Sequence, residues 1–265
     1  TAVFRPDRPQ SLDLAGQVVT ATAATPAGFE LLDRFFIGLT GTELPATVRI
    51  SVTGQPLGAE PGTQAVREAD LVVSARGSTR LAHHDGGGAA ELRGTELTVS
   101  LAEVAGDAWV TGRHLLAWGL QLLFNRLGTP IVHAALMSRG RTALAVVGPS
   151  GSGKSTLAVA ALAGGWSVHG DDMTVLRARE GNLEATTVPR RMMVDADLAV
   201  ALPDAMRRPV PGVRRGRVFL PEVLQPAPFT PLAAVVHVAH HDGGGVVEGY
   251  DTDVAALERA VGDTN

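Results

Sequence analysis

The chain of 265 residues predicts an α/β protein: a β-rich module over residues 1–112, then an α/β domain with a mixed sheet over 113–265. Three observations carry this. Short runs of β-branched residues in near alternation fill the first part. Beyond residue 112 such runs alternate with apolar segments of helical period. A glycine-rich turn then stands between an apolar strand and an Ala-rich helix in the first third of the second part.

In the first part, "ATVRISVTG" (46–54), "ADLVVSARG" (69–77) and "TELTVSLAEV" (95–104) read as strands bounded by Gly, Pro or Asp. "LAHHDGGGAAEL" between the last two reads as a hairpin turn. No motif in this part carries assignable chemistry.

The second part opens with "GRHLLAWGLQLLFNRLG" (112–128), where Leu115, Leu116, Leu120, Leu123 and Phe124 recur at helical spacing and Gly128 with Pro130 ends the helix. "PIVHAALMS" (130–138) and "TALAVVG" (142–148) read as two strands joined at Arg139–Gly140–Arg141. "STLAVAALAGG" (155–165) is a helix stopped by glycines. "WSVHGDDMTVLRARE" (166–180) reads as strand, carboxylate pair and strand, turning at Gly181–Asn182 into "LEATTV". "PLAAVVHVAHH" (231–241) is a further core strand, and "DTDVAALERAV" (251–261) begins with capping residues and reads as a closing helix.

Composition narrows the classes. Apolar residues make up 45 % and charged residues 19 %, and the net charge of −4 provides no basic field for nucleic acid or anionic lipid. We therefore expect no nucleic-acid and no membrane partner. There are no cysteines, which excludes disulfides and thiolate zinc sites and fits a reducing compartment. No apolar run reaches spanning length, and "TAVFRPDRPQ" lacks a signal-peptide pattern, so the expected location is cytoplasmic.

One residue breaks the pattern of base usage. Of 23 basic residues, Lys154 is the single lysine. It stands in Gly148-Pro149-Ser150-Gly151-Ser152-Gly153-Lys154-Ser155, which matches a phosphate-binding loop in the required strand–loop–helix context. Glycines let successive N–H groups aim at one phosphate, and the helix start adds partial positive charge. A compact ammonium fits inside such a loop, whereas the wide guanidinium fork does not. The set Gly148, Pro149, Ser150, Gly151, Ser152, Gly153, Lys154, Ser155 and Thr156 is thus expected to hold a nucleotide triphosphate, with Ser155 on Mg²⁺.

With no second lysine, the Asn/Thr-Lys-x-Asp motif that reads guanine cannot be built, and adenine is expected. A Leu-Ser-Gly-Gly transporter-ATPase signature is absent too. Instead Asp171-Asp172 follow Lys154 by 17 and 18 positions, and His133 precedes it by 21. "VHAALMSRGRTALAVVGPSGSGKSTLAVAALAGGWSVHGDDMTVL" in this way resembles the catalytic domain of the HPr kinase/phosphorylase family, whose core is shared with phosphoenolpyruvate (PEP) carboxykinase. The resemblance is specific over about 132–176, looser to about 240, and does not cover 1–112. The family's signature segment after the carboxylate pair is missing, so the chain resembles a divergent branch for which HPr itself is not the expected substrate.

That resemblance implies a P-loop, PEP-carboxykinase-like fold and transfer of the γ-phosphoryl of ATP, with Mg²⁺, to a hydroxyl. The implied acceptor is a serine of a peptide or protein, including a peptide natural-product precursor. It implies Asp171 as the base that accepts the hydroxyl proton and Asp172 as the metal-side carboxylate, with the reverse order open. His133 is implied beside the γ-phosphate or an aspartate, and Lys154 on the transferring group. Relatives form hexamers, so a homo-oligomer is implied. A small-molecule kinase and a non-catalytic, regulatory ATP-binding protein stay open as alternatives.

Two weaker signals remain. Seven arginines fall within "PRRMMVD" (189–195) and "RRPVPGVRRGRVFLP" (207–221), and Arg215 and Arg217 are the expected substrate contacts. "AHHDGGG" occurs at 82–88 and 239–245. Adjacent strand histidines face opposite sides and cannot both ligate one ion, so it reads as a hairpin turn.

Overall fold

A computed structural model describes residues 9–36, 45–58, 65–190, 192–200, 202, 208–209, 217–220, 228–239 and 246–250. They form an α/β protein with mixed sheets, mostly of strands, and no helix among them is long and apolar enough to cross a membrane. Contacts divide the chain into two units, Thr1–Gly128 and Thr129–Asn265.

The first unit contains β1 (Gln10–Leu14), β2 (Gln17–Ala23), α1 (Pro26–Phe35), β3 (Val48–Thr53), β4 (Ala65–Glu68), β5 (Leu71–Arg76), β6 (Thr79–His84), β7 (Ala89–Arg93), β8 (Glu96–Ser100) and α2 (Ala108–Arg126). Its eight strands lie in the order β1-β2-β3-β8-β7-β6-β5-β4. The β2–β3 and β3–β8 pairs are parallel and the rest antiparallel, so this module is itself mixed. The expected strands appear as β3, β5 and β8, and the expected hairpin as β6–β7.

α1 was not anticipated, although its start carries a legible signal. Thr25 caps it by accepting the Gly28 N–H at 3.1 Å, and Pro26 occupies the first turn.

The expected boundary at 112/113 needs correction. It cuts α2, which starts four residues earlier, where Asp107 accepts the Trp109 N–H at 2.9 Å. Leu115, Leu116, Leu120, Leu123 and Phe124 are fully buried, and α2 packs on α1, β6, β7 and β8. Its apolar stripe closes the first unit's core, so the helix belongs there and the division falls at 128/129.

The second unit contains β9 (Ile131–His133), β10 (Ala135–Arg139), β11 (Thr142–Val147), α3 (Lys154–Ala163), β12 (Ser167–Gly170), β13 (Met173–Arg179), β14 (Asn182–Thr187), β15 (Met192–Asp195), α4 (Ala196–Ala199), β16 (Arg208–Pro209), β17 (Arg217–Leu220), β18 (Thr230–Ala239) and β19 (Val246–Tyr250). The main sheet runs β12-β10-β11-β18-β14-β13-β9, with β19 also on β18, and β15-β17-β16 form a small second sheet. Among the described residues, β11–β18 is the one parallel pair of the main sheet.

Alternation along β10 and β11 supplies two cores. Ala135, Met137 and Val146 pack with Ala158 and Val159 of α3 and with Met192 and Val194. Leu136, Ala143, Ala145 and Val147 pack on the other side with Leu176, Ala185 and Val235.

The segment 130–138, expected as one strand, is two. Ala134 separates them, its N–H bonded back to Val132 O at 3.0 Å and its carbonyl accepting Thr174 Oγ1 at 2.9 Å. β9 then pairs with β13, while β10 pairs with β11 and β12. The expected closing helix at 251–261 lies outside the described residues, as does most of the second "AHHDGGG".

Because Phe124 is fully buried under the first sheet, Phe124→Ala is expected to destabilise that unit by about 3–5 kcal/mol. Urea unfolding followed by tryptophan fluorescence checks this.

Candidate functional site

The site grows from the end of β11. Its apolar run ends at Val147, and the chain must turn sharply to start α3 seven residues later. Gly148 is required at the exit, since a Cβ there would lie 2.2 Å from the Val238 carbonyl oxygen on β18. Ser152 N–H donates to Pro149 O at 3.1 Å and closes the loop. Gly153 caps α3 in the left-handed region, φ +99°, with no side-chain cap bond. The first amides of α3 are therefore not occupied by a capping side chain, and they carry the positive end of the helix dipole into the loop.

Lys154 is the first residue of α3 and only 5 % exposed. Its Nζ donates to Gly148 O at 2.6 Å and Pro149 O at 2.9 Å. Burial lowers its pKa, while the charges of Asp172 and Asp171 pull it back up. Ser152 Oγ is buried with no hydrogen-bond partner among the described residues. A cradle of this kind, with amides, an ammonium and an orphaned hydroxyl, fits an oxyanion.

Asp171 and Asp172 occupy the bend between β12 and β13, so strand alternation does not fix where they point. Ser155 Oγ donates to Asp171 Oδ2 at 2.9 Å. Burial first, and then the neighbouring Asp172 charge, push the Asp171 carboxyl up to about 6, against the hydrogen bond from Ser155 and the Arg190 charge. Asp172 turns the other way. Its Oδ1 lies 3.7 Å from His133 Nδ1, and its Oδ2 accepts from Arg190 Nη1.

His133 is no core residue. It ends β9 opposite Met173 with its side chain 46 % exposed, close to the 44 % of Asp172. Desolvation holds its pKa below the ordinary imidazole value, and Lys154 and Arg190 add to that against the pull of Asp172.

The expected loop, the carboxylate pair and His133 thus converge. Among the remaining loop positions, Pro149, Ser150, Gly151 and Thr156 are exposed. Arg215 lies outside the described residues, and the backbone of Arg217 sits in β17 opposite Asp195. The residue the sequence reading passed over is Arg190, 15 % exposed beside Asp172. A signal for it existed: β13 and β14 form a hairpin in which Thr174 pairs with Thr187, and continuing that register brings 189–190 beside 171–172. Val188 N–H on Met173 O, 3.0 Å, extends the pairing toward it.

Two cations and two carboxylates balance this cluster. Two oxygens, on Ser155 and Asp171, suit a small hard divalent ion next to the loop. In comparisons with known proteins, no family model matches the chain and no curated protein matches it.

The raised pKa of Asp171 carries a stability consequence with a definite sign. The folded chain favours the protonated acid, so its contribution is complete below the ordinary value of 3.8 and is lost as pH rises through about 6. In chelator-containing buffer, Asp171→Asn should therefore gain about 1–2 kcal/mol at pH 7–8, after discounting for the partly open site. The gain should vanish near pH 4. Chemical denaturation across that pH range reads it directly.

Proposed function

We propose that the chain is an Mg²⁺- and ATP-dependent kinase that transfers the γ-phosphoryl group to a hydroxyl, that of a serine in a peptide or protein. The observation that carries this is the buried Lys154 at the head of α3, with Ser155 bonded to one carboxylate of a pair whose other member faces a histidine. A regulatory nucleotide-binding protein has no need of that second, solvent-facing pair.

The finer fold we propose is the P-loop kind resembling PEP carboxykinase and the HPr kinase catalytic domain. It is supported by the β11–loop–α3 unit, the parallel β18 beside β11, and the carboxylates at the exit of β12. ATP rather than GTP follows from the missing second lysine.

Each residue then has a task. Loop amides and Lys154 bind the β- and γ-phosphate oxygens, the ammonium exchanging two carbonyls for them. Ser155 and Asp171 are the residues that would hold Mg²⁺, which neutralises charge on the phosphates when bound. Asp172 accepts the proton of the acceptor hydroxyl, and His133 orients it and shares that proton. This reverses the order implied by the resemblance. Two facts favour the reversal: Ser155 bonds Asp171, and Asp172 is the acid open to an incoming substrate. Arg190 holds Asp172 in place. Arg215 and Arg217 remain proposed contacts of the acceptor, and a homo-oligomer in the cytoplasm the proposed setting.

Transfer from labelled ATP to a serine-containing peptide library tests the assignment. Asp172→Asn should slow transfer about 10²–10⁴-fold while nucleotide affinity stays near parental. Asp171→Asn should instead raise the Mg²⁺ concentration needed for half-maximal rate. Parental transfer by Asp172→Asn would overturn the base assignment, and no nucleotide binding by the wild-type chain would overturn the function.

A further inference from the structure

A second constellation lies in the first unit, apart from every residue used above. Asp70 ends the turn between β4 and β5, His84 is the last residue of β6, and His114 sits in the second turn of α2. The sheet register brings the first two together: Leu71 pairs with His84, and the Asp85 N–H donates to Asp70 O at 2.9 Å. α2 crosses β6 and supplies the third.

His84 Nε2 lies 3.2 Å from His114 Nδ1, and Asp70 Oδ2 lies 3.9 Å from the same Nδ1. One donor atom from each residue falls within 4.8 Å of the other two. Two nitrogens bound to one tetrahedral zinc at about 2.0–2.1 Å stand about 3.3–3.4 Å apart. The histidine pair already has that spacing. The sequence argument that His83 and His84 cannot share an ion still holds, because the second imidazole comes from the helix instead.

We propose that Asp70, His84 and His114 bind a divalent transition-metal ion of the zinc class. The ligand atoms are His84 Nε2, His114 Nδ1 and Asp70 Oδ2. Two neutral imidazoles and one carboxylate suit zinc-like ions rather than Mg²⁺ or Ca²⁺, and three protein ligands leave a position for water.

Proton placement sets the cost of binding. Gly86 N–H donates to His84 Nδ1 at 2.9 Å, which keeps the proton of the neutral ring on Nε2, in the gap between the rings. Arg113 Nη2 stands 3.3 Å from His114 Nε2. An entering ion displaces the gap proton, and each ring then carries its proton on the nitrogen facing away. The Asp85–Gly86 peptide must turn aside to admit the proton that moves to His84 Nδ1, which holds the affinity below that of a prearranged structural zinc site. The bound ion ties the β4–β5 turn, β6 and α2 together and stabilises the first unit by linkage.

The test titrates Co²⁺, then Zn²⁺, into the full chain after chelator treatment and dialysis. One equivalent of Co²⁺ should bind with the visible absorption of a four- or five-coordinate ion, Zn²⁺ should displace it, and the melting temperature should rise. His114→Gln and Asp70→Asn should each weaken binding at least about tenfold. Asp70 is 64 % exposed, so its variant keeps the test standing should His114→Gln fold poorly. The Asp171→Asn/Asp172→Asn double variant should keep the absorption, which separates this site from the proposed nucleotide site. Absence of stoichiometric binding, or parental affinity in Asp70→Asn, overturns the proposal.

Discussion

A buried ammonium must be met by oxygen, and the second unit is arranged around that need. Lys154 has lost most of its water, and the two loop carbonyls alone do not replace a full hydration shell. The charges of Asp172 and Asp171 offset part of that loss. Each of those acids in turn requires a partner, which it finds in Ser155, His133 and Arg190. Loop, helix start, bend and hairpin end are thus coupled through charge as well as through the apolar core beneath them.

The sheet makes this coupling geometrically possible. β10 and β11 form a hairpin, α3 returns over one face, and β12 pairs on the outer side of β10. This return delivers the end of β12 to the start of α3. The bend at 171–172 frees both acids from opposite-face alternation, so one turns to the helix and the other to β9. The break at Ala134 has a parallel effect. It lets β9 leave the β10 direction and pair with β13, which sets His133 next to the bend.

Much of this was legible in the residues. The strand–glycine–helix unit around Lys154 and the strand–carboxylate pair–strand order after it both follow from local chemistry. So do β3, β5, β8 and the β6–β7 hairpin, because β-branched alternation and glycine turns are local signals. What failed to show was set by pairing between distant segments. The membership of α2 depends on which sheet its stripe covers, and the stripe itself does not say. The split at Ala134 depends on Thr174, forty positions away. Arg190 was visible only as one of several arginines until the β13–β14 register gave it a place. The meeting of Asp70, His84 and His114 likewise arises from strand order, not from any spacing along the chain.

We propose that one lysine, because it is an ammonium and not merely a cation, grips a triphosphate. Calorimetric titration of Mg²⁺·ATP into the wild-type chain and into Lys154→Arg tests it most directly, since the substitution keeps the charge and changes only its shape. We predict saturable binding by the wild type at one nucleotide per chain and a loss of at least tenfold in affinity in the variant. Equal affinity in the two proteins would contradict the account.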